Sequence, residues 1–234
     1  MNWLRLKKKT VVLLTLLAAG LLPACGQTSI TNDFSFSVMT TVPDGSASGL
    51  ANNQTFVGMA GTITNVTLGL NLTGGFNGDL YVYLRHGDVF SVLLNRTGVG
   101  GTDPYGSADS GFNVTFSLSA ADNIHFYQNL AYDLNGDGQL TGAWQPDGRA
   151  IDPQSSPSIF DSTSPSATLD LFNGTNPNGT WTLFLADLSN GAQSELIGWN
   201  LQITTVPEPP AWALLAMGAL WLSWQLRIGK QRRA

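Results

Sequence analysis

The chain has 234 residues, only 12% of them charged, and a formal net charge of −5. Its single Cys excludes an intrachain disulfide framework, and the length allows one or two domains with a real core. Residues 1–26 carry +4, residues 27–205 carry −12 with no Lys, and residues 206–234 carry +3; an acidic, lysine-free middle excludes nucleic-acid binding, which needs cations to replace phosphate counterions.

In chain order, residues 1–26 read as a secretory signal. Arg5, Lys7, Lys8 and Lys9 precede an apolar run from Val11 to Leu22. Small residues follow, so a signal peptidase can cut after Ala24 or after Gly26. Alternatively, Leu22-Pro23-Ala24-Cys25 is a degenerate lipobox and Cys25 is lipidated. Residues 27–57 are expected to hold an N-terminal strand, Phe34–Met39, and a linker.

Residues 58–205 alternate apolar and polar side chains in short runs. Val66, Leu68, Leu70 and Leu72 define one face, then Leu80, Val82 and Leu84, and then Phe112, Val114, Phe116 and Leu118. Trp181, Leu183 and Leu185 follow, and finally Trp199, Leu201 and Ile203. Period two with one polar face predicts half-buried antiparallel strands. Val89–Leu94 and Ala167–Phe172 are further strand candidates. Many short strands with turn-rich joints predict an all-β fold, a jelly-roll-like antiparallel β-sandwich. Asn77-Gly78 and Asn178-Gly179 each stand just before an alternating strand, and Asn-Gly suits a tight reversal.

The C-terminus is a second membrane element. Val206-Pro207-Glu208-Pro209-Pro210 is a stiff break. An uncharged stretch from Ala211 to Leu226 follows, at the short end of the roughly 17–25 residues that span a bilayer. Trp212 and Trp224 stand near its ends, and Arg227, Lys230, Arg232 and Arg233 are expected to stay cytoplasmic. This order of parts, Val206-Pro207-Glu208-Pro209, apolar helix and basic end, resembles the PEP-CTERM sorting signal of Gram-negative bacteria. The resemblance covers residues 206–234. It implies an exosortase-type processing enzyme besides signal peptidase, transient anchoring in the inner membrane, and delivery to the cell envelope or extracellular matrix.

A second resemblance runs through the middle. Gly78-Asp79-Leu80-Tyr81-Val82-Tyr83-Leu84, Gly179-Thr180-Trp181-Thr182-Leu183-Phe184-Leu185-Ala186-Asp187 and Gly198-Trp199-Asn200-Leu201-Gln202-Ile203 resemble, in order, strands of the P domain (P/Homo B) of proprotein convertases. It implies a jelly-roll sandwich that usually accompanies a subtilisin-like protease, for which this chain has no room.

The catalytic inventory is thin. His86 and His125 are the two imidazoles. Neither belongs to a G-x-S-x-G elbow or an H-E-x-x-H helix. Each is expected to be a surface or loop histidine, His86 at a strand end and His125 within Asn123-Ile124-His125-Phe126, a short strand. The Asp residues stand mostly in turns. Asp133-Leu134-Asn135-Gly136-Asp137-Gly138-Gln139 matches the first half of an EF-hand-type calcium loop. Asp133, Asn135, Asp137 and the Gln139 carbonyl are its candidate ligands. Trp144 stands where the bidentate Glu belongs, so Asp147 or Asp152 is needed to complete the shell. Seven N-x-T sequons are read as a consequence of Asn- and Thr-rich composition. Tyr81, Tyr83 and Trp144 are candidates for stacking on a carbohydrate.

The sequence thus points to an exported, non-enzymatic β-sandwich with a structural, adhesive or binding role in the envelope or extracellular polymer. The rivals are an accessory module for a separate subtilisin-like protease, and a carbohydrate-binding or glycan-active surface protein.

Overall fold

A computed structural model describes residues 28–208, 218–219 and 221–225. Cys25, Pro209, Arg227, Lys230, Arg232 and Arg233 lie outside the described residues, as do the signal segment and most of the apolar tail. Among the described residues nine strands form two facing sheets: β1 (Ile30–Thr41), β2 (Ser46–Phe56), β3 (Thr62–Gly74), β4 (Leu80–His86), β5 (Val89–Asn95), β6 (Phe112–Phe116), β7 (Leu140–Trp144), β8 (Gly179–Asp187) and β9 (Ser194–Val206). One sheet has the order β1-β9-β3-β6-β7 and the other β2-β8-β4-β5. The architecture is an all-β sandwich.

The predicted alternations produce it directly. Val66, Leu68, Leu70 and Leu72 of β3 face Leu80, Val82 and Leu84 of β4 across a core that also holds Phe112, Phe116, Trp181, Leu183, Leu185, Leu201 and Ile203. All of these are nearly or wholly excluded from solvent. Each such side chain contributes roughly 1.5–3 kcal/mol relative to an exposed one. The two Asn-Gly-led strands, β4 and β8, are antiparallel neighbours.

Four readings are corrected. Residues 30–56 hold two strands of the sandwich itself: β1, which contains the expected Phe34–Met39, and β2, each at one edge of its sheet. β2 is too polar to be seen as a strand (Asn52, Asn53 and Gln54 occupy its middle) and is held by pairing with β8. Its register shifts between Ser46 and Leu50, where Gly49 has φ +54°. Ala167–Phe172 is not a strand. It contains a 3-10 turn, Leu169–Phe172, whose three-residue spacing buries Leu169 and Phe172 together and leaves Leu171 45% exposed. The residues around His125 likewise form a 3-10 turn, Ile124–Asn129, in place of a short strand. Finally, β6 and β7 pair in parallel, so the sandwich is not wholly antiparallel. Residues 117–139 are long enough to make the crossover that a parallel pair requires.

Candidate functional site

Among the described residues, a buried cluster of charged and titratable groups lies beneath the loops that follow β5 and β7. The Ile124–Asn129 turn carries His125, and the segment after β7 carries Asp147 and Arg149. Asn123 caps the turn by accepting the His125 backbone N–H, and its amide donates to the Pro146 and Asp147 carbonyls. The two segments are thereby fixed to each other. His125 Nδ1 lies 2.6 Å from Asp147 Oδ2, and Arg149 Nη1 lies 3.0 Å from Asp147 Oδ1. The Arg149 Nε donates to the Phe160 carbonyl, and its guanidinium sits 4.9 Å from the centre of the Phe126 ring. Phe160 belongs to the short helix α1 (Pro157–Ser162) and stacks on the imidazole. Exposure is 2% at His125, 0% at Asp147 and 3% at Arg149.

His125 faces oxygen acceptors on both sides, since Nε2 lies 3.0 Å from the Val99 carbonyl. A neutral imidazole has one donor and one acceptor nitrogen, so both contacts are hydrogen bonds together only in the doubly protonated ring. The arrangement resembles part of a catalytic triad in composition alone. It is sealed, and the imidazole has no ring nitrogen left for a proton in transit. His86 is also built into the scaffold. Its ring lies flat on Trp181, 4.2 Å between centres, with Nε2 2.7 Å from the Asn176 carbonyl and Nδ1 3.1 Å from that of Thr180. The expectation of surface histidines is therefore corrected at both positions. Carbonyls and carboxylates arriving from distant segments make burial of each ring affordable, and one sequence window does not show them.

Two further buried polar sites brace the ends of the sandwich. The Tyr127 hydroxyl is bonded to Ser107, Asn77 and Asp109. Burial pushes its phenol well up from the ordinary value. At the end of β8, Asp187 is 0% exposed. Its Oδ2 accepts from Ser194, and its Oδ1 has no hydrogen-bond partner. Burial pushes its carboxyl up to about 6, with the Ser194 bond and the nearby Ser189 backbone N–H opposing this and the nearby Asp79 and Asp44 adding to it.

The Asp133–Gln139 loop closes on itself. Asn135 Oδ1 accepts from the backbone N–H groups of Asp137 and Gln139, and the Gln139 carbonyl accepts from Asn135 N–H. The Gln139 side chain reaches across to Asn71 and the Leu72 carbonyl. Asn135 Oδ1 and the Gln139 carbonyl, two of the four expected calcium oxygens, thus accept protein donors, and Asp133 and Asp137 supply the carboxylates of the loop. Asp147, one residue named to complete the calcium shell, is committed to His125 and Arg149. Among the described residues, no group of three or more His, Cys, Asp or Glu side chains is gathered for a metal ion.

The aromatic candidates separate. Tyr81 and Tyr83 lie on the outer face of β4, where Tyr83 stacks on Phe184 at 4.8 Å and 17° and meets Phe90 edge-on. Trp144 does not join them. It is on β7 of the other sheet, 6% exposed, with its indole N–H donated to the Thr141 carbonyl. Its alternation phase turns it into the core.

At the other end of the chain, Val206 is the last residue of β9 and pairs with Thr62. Pro207 and Glu208 leave the sheet without regular structure, and Glu208 is exposed. Among the described residues no helix is long and apolar enough to cross a membrane.

No family model matches this chain, and no curated protein matches it. Among solved structures it is similar to a chain of the complex between the Aeromonas sobria serine protease and the chaperone ORF2, at 15% identity and a TM-score of 0.43 over 83% of this chain and 29% of that one. It is similar to the serine protease of Aeromonas sobria solved by itself, at 16% identity and a TM-score of 0.43 over 81% of this chain and 29% of that one. The chain therefore spans less than a third of the length of these solved chains.

Proposed function

We propose that this chain is an exported, non-enzymatic β-sandwich, processed at its Pro207-Glu208-Pro209 neck by an exosortase-type enzyme, with a binding or structural role in the cell envelope or extracellular polymer. The observation that carries the non-enzymatic part is the state of the two imidazoles. Both are enclosed, and both ring nitrogens of each face protein oxygens. General-base chemistry needs a ring nitrogen within reach of a substrate proton, and these are consumed by the scaffold. The processing part is supported by the exit of the chain: the final strand ends at Val206, and the acidic residue of the neck stands in solvent.

The test is the intact mass of the mature protein isolated from cells that produce it. The expected mass lacks the N-terminal signal and residues 211–234. A mass that retains residues 211–234 refutes processing, and turnover of a glycan or peptide substrate refutes the non-enzymatic reading.

A second reading, an accessory module for a separate subtilisin-like protease, is favoured by the placement of the P-domain-like stretches. Two of them form the paired strands β4 and β8, and the third forms β9 in the facing sheet. Co-purification of such a protease with the chain supports this reading; its absence from material isolated under mild conditions counts against it.

A further inference from the structure

The outer face of the five-stranded sheet carries a trough of about 490 Å³. Two cross-strand rows form it. In one, Ser35 of β1, Asn200 of β9, Gly69 of β3 and Thr115 of β6 stand in register. In the other, Ser37, Gly198, Asn71 and Asn113 do so. Each row has a glycine on an inner strand: the Asn200 amide lies over Gly69, and the Phe36 carbonyl stands against Gly198. Neither position has space for a side chain. A Cβ at Gly69 would stand 2.3 Å from the Asn200 amide, and one at Gly198 would stand 2.5 Å from the Phe36 carbonyl oxygen.

The chemistry of the trough is narrow, because no ionisable residue lines it. Asn200 Oδ1 is fixed by the Gly69 N–H and Asn71 Oδ1 by the Gln139 amide, which leaves both NH2 groups as free, oriented donors. Among the described residues Asn113 and Thr115 make no side-chain hydrogen bond, and both are exposed. A charged ligand finds no counter-charge here, and the charge of −12 on residues 27–205 repels polyanions. An apolar ligand would strand several amides and hydroxyls without partners. An extended peptide takes its affinity from a strand edge, and this is a sheet face. What remains is an uncharged molecule dense in hydroxyl groups. The rows cross four strands, about 14 Å at roughly 4.8 Å per strand, the length of a few linked sugar rings.

We propose that this trough binds a neutral polysaccharide, with Asn71 and Asn200 as donors from fixed amides and Asn113 and Thr115 as adaptable partners. The inference rests on the binding role proposed above and gives it a site and a ligand class. It moves the carbohydrate surface away from Tyr81 and Tyr83, where Phe184 already covers one face of the Tyr83 ring.

The test is affinity electrophoresis of the full chain in a polyoxyethylene detergent, through gels containing dextran, galactomannan, hydroxyethyl cellulose or, as a polyanion, alginate. The expected result is retardation in at least one neutral polymer and none in alginate. Asn113→Ala/Thr115→Ala should weaken that retardation about tenfold, as loss of two hydrogen-bonding groups implies, with an unchanged melting temperature. Tyr81→Ala/Tyr83→Ala should leave it unchanged. Absence of retardation in every neutral polymer, or loss in the tyrosine variant with none in the trough variant, overturns the proposal. Fractionation of producing cells separates the two levels. A protein that stays with the extracellular polymer when the trough variant does so equally keeps its binding role and loses this site; a protein absent from that fraction loses both.

Discussion

Replacing Asp147 by Ala is the sharpest test of how the polar cluster works. The carboxylate is 0% exposed and accepts from His125 Nδ1 at 2.6 Å, from Arg149 Nη1 at 3.0 Å and from the Arg149 backbone N–H at 3.2 Å. Its removal leaves Arg149 buried with one carbonyl partner and a ring beneath it, and leaves His125 with one acceptor. Breaking a buried pair by deleting one partner costs about 3–5 kcal/mol, because the remaining charge stays desolvated. For a chain of this size that lowers the melting temperature by about 6–20 °C. Urea unfolding followed by tryptophan fluorescence reads the loss, provided the m-value is unchanged. Asp147→Asn, which keeps the shape and the bond to the Arg149 backbone, should fall between wild type and Ala. A loss below about 1 kcal/mol, or a His125–Asp147 coupling below about 0.5 kcal/mol in a double-mutant cycle, would refute the reasoning.

Asp187 gives a pH dependence of definite sign. Its folded-state value of about 6 lies above the ordinary 3.8, so its contribution favours folding fully below about pH 4 and is lost as pH rises through about 6. The stability of Asp187→Asn relative to wild type should therefore rise by roughly 2–3 kcal/mol between those limits, and a difference that is flat in pH contradicts this. Tyr127→Phe removes a hydroxyl shared by Ser107, Asn77 and Asp109 and should cost about 1–3 kcal/mol in urea unfolding; a neutral effect would mean that those groups find other partners. The self-closed Asp133–Gln139 loop should give the same melting temperature in EDTA and in millimolar calcium. A calcium-dependent rise abolished by Asp137→Ala would show that Asn135 and Gln139 release their backbone donors to a metal.

Much of the sandwich was legible because its strands report burial by alternation. Leu80, Val82 and Leu84, like Trp181, Leu183 and Leu185, carry the period in their own side chains and lie in the core as expected. β2 carries no such record. Its middle, Ala51 to Thr55, is polar on both faces apart from Ala51, and it is a strand because β8 supplies its hydrogen-bond partners. Ala167–Phe172 is ambiguous for the opposite reason: its apolar residues satisfy a two-residue and a three-residue spacing equally, and the neighbouring strands β3 and β5 select the second. The burial of the histidines is not legible, because a short window shows a polar residue but not the oxygens that enclose it.

The amino-acid sequence by itself determined the division of charge, the two basic ends around an acidic middle, and the faces of most core strands, since each is a local property of composition or period. It also placed Asn71, Asn113 and Asn200 on the polar side of their strands. Only the tertiary structure decided that these stand together. β3, β6 and β9 come from distant parts of the chain, and their pairing register brings two rows of short amides and hydroxyls across one face with a glycine in each. The same long-range pairing placed Asp147 between His125 and Arg149. Register is set by the fit of whole strands across the sheet, and a one-residue slip would reverse every side chain, so sites built across strands exist only once the sheets have closed.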